Sequence, residues 1–161
     1  MREQWFTFPK IDPVALSLGP LEIRWYALAY LAGIISAMLV MNREAKRPDT
    51  VFSVDDIARL TNNCVFGIIV GGRLGYVLFY NADFYLSAPL EIFKVWQGGM
   101  SFHGGFLGVV IATILTVRKT KIPLFSIADL LACVAPIGLF FGRIANFING
   151  ELYGRVTEHP I

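Results

Sequence analysis

Charged residues are scarce in this sequence: they make up 16% of its 161 residues, whereas a soluble globular domain has about 25%. Hydrophobic residues make up 55%, and 15 glycines add to the apolar share. A chain of this length cannot bury so much apolar surface in one core and still present a wettable exterior. A soluble enzyme and a disordered chain are therefore excluded as leading interpretations, and a membrane protein with several spans is predicted.

Cysteine and histidine are also scarce, with two of each. Cys64 and Cys133 lie in different apolar stretches without CxxC spacing, so each is expected to be a small buried residue rather than part of a disulfide. The few histidines and the absence of an HExxH pattern make a metal site unexpected. A formal net charge of +2 is too small to indicate binding to nucleic acid.

Four apolar stretches are long enough to cross about 30 Å of hydrocarbon at about 1.5 Å per residue. They run over residues 21–41, 61–80, 100–117 and 124–141. The N-terminal residues include acidic and aromatic side chains and no small-residue cleavage site, so no cleaved signal peptide is expected. The predicted fold is an all-α integral membrane protein with four transmembrane helices, and residues 1–161 are expected to form a single integral membrane domain.

The charges of the predicted loops indicate the orientation. Seven Lys and Arg residues lie in the first and third loops, whereas the second loop contains only Lys94. Lys and Arg collect on the cytoplasmic side of a membrane, so the N-terminus is expected outside. Trp25, Tyr26, Tyr80 and Trp96 then fall at the outer interface, where aromatic side chains are enriched.

Glycines recur at intervals of four residues within the predicted spans. This spacing lets helix backbones approach closely where no hydrophobic force draws helices together. Helix packing is therefore predicted rather than ligand binding. The glycines concerned are Gly67, Gly71, Gly75, Gly104, Gly108, Gly138 and Gly142.

Polar side chains converge on the outer half of the predicted spans. A charged side chain at the middle of a span costs at least ~2.5–3.5 kcal/mol on insertion scales, so each requires a reason. Guanidinium groups match phosphate oxygens, and histidine is the natural acid or base near neutral pH. The convergence predicts an enzyme that acts on an anionic phospholipid from the outer leaflet. The residues concerned are Tyr26, Arg73, His103, Arg143, Asn146, Asn149 and Glu151.

Three of these residues also have an ordinary structural explanation when each is taken alone. Arg73 could pair with a buried carboxylate, and His103 could hydrogen-bond a backbone carbonyl. Tyr26 could be an interfacial aromatic residue.

The segment from Gly142 to Gly154, GRIANFINGELYG, closely resembles the signature of the bacterial prolipoprotein diacylglyceryl transferases. Residues 71–81 and 98–105 provide supporting matches, and Trp25-Tyr26 resembles the start of the family. The resemblance covers essentially the whole chain. Family members are longer and have further transmembrane helices and polar residues, so this chain is expected to correspond to their N-terminal portion and to hold half of the site.

The resemblance implies an activity and its partners. The family transfers the diacylglyceryl group of phosphatidylglycerol to the thiol of a lipobox cysteine in a prelipoprotein that still carries its signal peptide. No metal or nucleotide cofactor is implied. The implied location is the bacterial inner membrane, with the active site towards the outer leaflet.

The resemblance also implies roles for individual residues. Arg143, with help from Arg73, is expected to hold the phosphate and to stabilise the charge on the leaving group. His103 is a candidate base for the substrate thiol, because the thiolate is the nucleophile. The positioning group is expected to comprise Tyr26, Asn146 and Glu151, with Gly154 allowing a tight backbone turn above the site.

Two other classes of function remain open from the residues. A transporter or channel could place Arg73, His103 and Arg143 along a polar path. Such a path would need polar residues that continue to the inner face, and apart from Asp129 the inner halves of the spans carry no charged residue. A non-catalytic membrane scaffold would explain the spaced glycines but not the polar cluster.

Overall fold

The computed structural model describes Pro9, residues 11–19 and residues 21–151. Within these residues the chain starts with an antiparallel hairpin and continues as helices. The hairpin pairs strand β1, Val14–Leu18, with strand β2, Leu21–Arg24. The helices are α1, Trp25–Glu44; α2, Val54–Tyr80; α3, Ala82–Ser87; two 3₁₀ turns, Pro89–Phe93 and Val95–Gln97; α4, Phe102–Thr120; and α5, Leu124–Asn149.

Four of these helices, α1, α2, α4 and α5, are long and apolar enough to cross a membrane. Many large apolar side chains on them are exposed, and hydrocarbon is the surrounding in which such a surface is stable. Examples are Phe66, Leu78, Phe106, Phe125 and Leu139. The predicted class, a helical integral membrane protein with four spans, is confirmed.

The observed helices differ from the predicted spans mainly at the polar ends. α2 begins at Val54, seven residues before the predicted start at residue 61, and α5 continues to Asn149, eight residues beyond residue 141. At the start of α2, the Ser53 hydroxyl accepts a hydrogen bond from the Asp56 backbone N–H, and the Asp56 carboxylate accepts one from the Ser53 N–H. This capping box satisfies donors that lack a partner within the helix, so a polar first turn is stable.

The hairpin was not predicted, because residues 21–24 were assigned to the first span. Gly19 adopts a φ of +62° in the turn between the strands. The backbone N–H of Trp25 donates to the carbonyl of Pro13. The hairpin therefore fixes the start of α1, directly before Tyr26.

The described residues divide between two compact units, the first made of those up to residue 39 and from residue 133 to 151, the second of residues 40–132. In the second unit α2 and α4 pack closely. A Cβ added at Gly67 would lie 2.5 Å from the carbonyl oxygen of Gly108, and one added at Gly71 would overlap the carbonyl oxygen of Gly104. These pairs run in opposite directions along the two helices, so α2 and α4 are antiparallel, and the predicted packing role of these glycines is confirmed.

In the first unit, Gly33 of α1 packs against α5. A Cβ at Gly33 would lie 3.5 Å from the Cα of Gly138 and 3.8 Å from the Phe141 side chain. The described residues place no atom within 4 Å of a Cβ at Gly142, so a packing role there stays a prediction.

The two cysteines differ in exposure, and both are free thiols. Cys64 is buried, as predicted. Cys133 is exposed, so the prediction of a buried role is wrong for Cys133. The reason is its position on a face of α5 that the described residues leave uncovered.

Candidate functional site

Arg73 is a charged side chain buried near the C-terminal part of α2, with 3% of its surface exposed. A guanidinium has five N–H donors, and each of them has an acceptor here. The acceptors are the backbone carbonyl oxygens of Glu91, Ile92, Lys94, Gly98 and Gly99, at N–O distances of 2.5–3.2 Å.

These carbonyl groups belong to residues 89–100, which we call the returning segment. They lie in and directly after two short 3₁₀ turns, and the Glu91 carbonyl also accepts the Lys94 backbone N–H at 3.2 Å. A cation at such a helical C-terminus is favourable. The Tyr85 ring, with its centroid 5.2 Å from the Arg73 guanidinium carbon, provides a further contact with the cation.

Two glycines allow the returning segment to approach Arg73. Gly98 and Gly99 have φ angles of +84° and +79°, which L-residues with a side chain rarely adopt. A Cβ at Gly99 would also lie 2.7 Å from the ring of Tyr76 and 3.0 Å from an Arg73 nitrogen. Gly98 is therefore required by its backbone conformation, and Gly99 by both backbone conformation and space.

The returning segment ends against the backbone of α2. The Ser101 N–H donates to the Gly72 carbonyl at 2.8 Å. Gly72 precedes the end of α2 at Tyr80 by eight residues, a distance of about 12 Å along a helix. The segment thus runs back alongside α2, and α4 starts at the level of Gly72 rather than at the end of α2.

His103 is the second residue of α4, directly after this return. The Ser101 hydroxyl caps the helix by accepting from the Gly104 N–H at 3.2 Å. The His103 side chain is exposed and contacts the Phe102 ring edge-on, with centroids 5.6 Å apart. No hydrogen bond to its imidazole is found within the described residues, so the backbone-carbonyl alternative raised above is not observed there.

The other predicted site residues belong to the first unit. Arg143 and Asn146 lie on α5 and not, as expected, after the fourth span. A spacing of three residues places them on the same face of the helix. Arg143 is exposed and Asn146 is half-buried, whereas Ala145 between them is fully buried. The Arg143 side chain is therefore accessible on this face of α5 in the part of the chain that the structure describes.

The end of α5 forms a Schellman motif. Gly150 has a φ of +66° and donates its N–H to the carbonyl of Phe147 at 3.2 Å, and the Glu151 N–H donates to the carbonyl of Asn146 at 2.8 Å. This is the bond pattern that ends a helix at a left-handed glycine. It holds Glu151 against the turn of helix that carries Asn146.

Further polar contacts gather around Glu151. Its carboxylate accepts a hydrogen bond from the side-chain amide of Asn149 at 3.3 Å. Tyr26 lies near enough to Glu151 for an electrostatic interaction, and its ring is 5.3 Å from that of Tyr30. The amide oxygen of Asn149 is buried and has no hydrogen-bond partner among the described residues. The first unit thus gathers Tyr26, Asn146, Asn149 and Glu151.

Three points of the sequence analysis remain: the position of Gly154, the expected lack of a metal site and the partners of Arg73. Gly154 lies outside the described residues. The described residues contain no group of three His, Cys, Asp or Glu side chains that would hold a metal ion. Sequence reasoning missed the returning segment as a partner for Arg73, and the sequence signals for it were the Gly98-Gly99 pair and the capping residue Ser101.

Comparison with known proteins gives a match over nearly the whole chain. The sequence model of a family described as prolipoprotein diacylglyceryl transferase matches residues 13–161. Among curated proteins, one from Geobacter sulfurreducens is 53% identical over 153 residues, which cover 95% of this chain and 59% of the relative. One from Photobacterium profundum is 49% identical over 160 residues, which cover 99% of this chain and 60% of the relative.

Both relatives bear the name phosphatidylglycerol–prolipoprotein diacylglyceryl transferase. A protein of the same name from Vibrio cholerae is 48% identical over 160 residues. The chain spans about 60% of the length of these relatives. The described site residues therefore lie in a region that corresponds to part of a longer protein.

Proposed function

Because the chain belongs to the prolipoprotein diacylglyceryl transferase family, we propose that it contributes to the transfer of diacylglyceryl from phosphatidylglycerol to a prolipoprotein. The acceptor is the thiol of a lipobox cysteine next to the signal peptide. The observation that carries this proposal is the family match over residues 13–161. The placement of arginine, histidine and carboxylate side chains near helix ends supports it.

The proposed reaction exchanges one bond at a glyceryl carbon. The cysteine thiol loses its proton to a base, and the thiolate sulfur forms a bond to the glyceryl carbon. The bond between that carbon and the phosphate-ester oxygen breaks, and glycerol phosphate leaves with the electron pair. The products are a thioether-linked diacylglyceryl group and glycerol phosphate.

Arg143 is the proposed phosphate-binding residue. Its side chain is exposed on α5, and a guanidinium pairs with two phosphate oxygens at once while it stays charged. Charge that develops on the leaving phosphate is stabilised most where donors already point at it. Arg143 would thus act both in binding and in the transition state.

His103 is the proposed base for the cysteine thiol. Its imidazole is exposed at the first turn of α4, and histidine is the side chain most often used as a general base. The cap at Ser101 and the bond from Ser101 to Gly72 fix the backbone that carries it. A fixed backbone restricts the positions that the imidazole can occupy, which favours a reactive orientation towards the thiol.

Asn146, Glu151 and Tyr26 are proposed to position the headgroup and the arginine. The Schellman motif joins Asn146 and Glu151, and Tyr26 interacts with Glu151. An amide and a phenol donate hydrogen bonds to hydroxyl or phosphate oxygens, and a carboxylate accepts them from the glycerol hydroxyls. Gly154 is proposed to allow the turn that follows.

The chain is a multi-pass membrane protein, as its four apolar helices and its family indicate. We place it in the bacterial inner membrane with its N-terminus outside, because the Lys and Arg residues gather in the first and third loops. The site then faces the outer leaflet. Labelling of introduced cysteines in those two loops by an impermeant reagent, with intact and with lysed spheroplasts, tests this orientation.

The activity is tested with phosphatidylglycerol labelled in its diacylglyceryl group and a synthetic lipobox peptide. The natural full-length protein and the 161-residue chain are compared in proteoliposomes after insertion is verified. A thioether-linked product from the full-length protein supports the proposal, and product from both shows that the residues described here suffice. No product from either overturns it. Solute flux through the same vesicles would then favour the transport alternative.

A further inference from the structure

We propose that Arg73 is a positioning residue that holds the returning segment against α2 and so fixes the first turn of α4, with His103. The effect of Arg73 on activity rests on the proposed function. The effect of Arg73 on the returning segment rests on the observed hydrogen bonds alone. This inference differs from the expectation that Arg73 binds lipid phosphate directly.

The donors of Arg73 are all engaged, which argues against contact with phosphate. Each of the five N–H groups has a backbone carbonyl as acceptor, and 3% of the residue is exposed. A phosphate could reach the guanidinium only by displacing part of the returning segment. Arg143, by contrast, is exposed, so the two arginines are suited to different tasks.

The returning segment needs such a partner because of where it lies. Its end contacts Gly72, about 12 Å along the helix from the end of α2 at Tyr80. Non-helical backbone at membrane depth is stable only where the protein satisfies its polar groups. The Arg73 guanidinium donates to five carbonyls at once, of which that of Glu91 also accepts the Lys94 N–H. Neither lysine nor glutamine offers as many donors in a fixed plane.

The segment is connected to His103 by a short, constrained stretch of chain. Gly99 accepts from Arg73, Ser101 donates to Gly72, and His103 follows two residues later. Loss of the Arg73 bonds frees the chain on the N-terminal side of Ser101. The first turn of α4 then loses part of the support that holds the imidazole in one place.

Hydrogen exchange of the full natural protein in nanodiscs tests the structural half. The substitutions are Arg73→Gln, Arg73→Lys and, as a matched control, Arg59→Gln, which removes an exposed charge from the same helix. Arg73→Gln should speed exchange of the Lys94, Gly98 and Ser101 amides at least tenfold. Arg73→Lys should speed exchange of these amides at least threefold, and Arg59→Gln less than twofold.

Exchange within twofold of wild type in both Arg73 variants overturns the inference. If the glutamine variant fails to insert, the lysine variant decides.

Steady-state transfer kinetics test the coupling to His103. A positioning role predicts that Arg73→Gln lowers kcat at least tenfold while KM for phosphatidylglycerol stays within threefold, with partial recovery in Arg73→Lys. A tenfold rise in KM with unchanged exchange identifies direct lipid contact and overturns the inference. Faster exchange with unchanged kcat overturns the coupling. A wild-type protein without transferase activity refutes the proposed function, whereas the exchange result still decides whether Arg73 holds the segment.

Discussion

The backbone N–H of Glu151 donates to the carbonyl oxygen of Asn146 at 2.8 Å. This bond turns the chain back at the end of α5 and sets a carboxylate beside a half-buried amide. Gly150 makes it possible by adopting a φ of +66°. The arrangement explains why a glycine separates two polar residues within the segment that resembles the family signature.

Substitution of Gly150 tests this turn. Gly150→Ala should destabilise the protein by about 1 kcal/mol, because an L-residue with a Cβ is strained at positive φ. Transfer activity should fall as Glu151 leaves its place beside Asn146. Thermal unfolding in detergent micelles and the transfer assay measure the two effects.

Gly150→Asn is the matched control, because asparagine tolerates the left-handed conformation better than alanine does. Its stability and activity should lie between those of wild type and Gly150→Ala. Equal loss in both variants would show that the backbone conformation is not the cause.

The contact between α2 and α4 gives a second test. Gly104→Ala should destabilise the protein by about 1–3 kcal/mol, since overpacking forces the backbone to shift, and a Cβ there would lie 2.9 Å from the Cα of Gly75. Gly105→Ala, on the adjacent position, meets its nearest atom at 3.7 Å. Unfolding in mixed micelles should show a loss for Gly104→Ala only, and equal stability of the two variants would contradict the packing account.

The capping box at the start of α2 gives a third test. Ser53→Ala should lower the free energy of unfolding by about 1 kcal/mol, because the Asp56 N–H loses its acceptor. Ser53→Asp keeps an oxygen acceptor but places it near the Asp56 carboxylate, so it should recover only part of the loss. Chemical unfolding of the inserted protein measures both. A Ser53→Ala variant as stable as wild type would show that the cap contributes nothing.

Much of the fold could be predicted from the sequence because hydrophobic length is a strong signal. The predicted bounds of the second and fourth spans were wrong at their polar ends. Hydrophobicity does not reveal a polar helix end that is stabilised by a cap at Ser53 or by a Schellman motif at Gly150. Both ends had local signals, a serine three residues before an aspartate and a glycine after a polar turn. The hairpin was missed because residues 21–24 directly precede the apolar helix α1 and were included in the first predicted span, although Glu22 and Arg24 are charged.

The candidate site was only partly predictable. Residue types indicated phosphate chemistry, but the placement of Arg143 and Asn146 on α5 did not follow, because the predicted fourth span ended at residue 141. The partners of Arg73 did not follow, because they are backbone carbonyl groups 18–26 residues away. Backbone acceptors carry no residue identity, so their convergence on one guanidinium appears only once the chain is folded.

The most direct test of the account replaces Arg143 in the full natural protein. Arg143→Ala and Arg143→Lys are compared with wild type in one assay, which measures the diacylglyceryl peptide formed per inserted molecule from labelled phosphatidylglycerol. The account predicts transfer by wild type, loss of transfer in Arg143→Ala with insertion retained, and a small residual activity in Arg143→Lys, which keeps the charge but not the bidentate geometry. Unimpaired transfer by Arg143→Ala would contradict it.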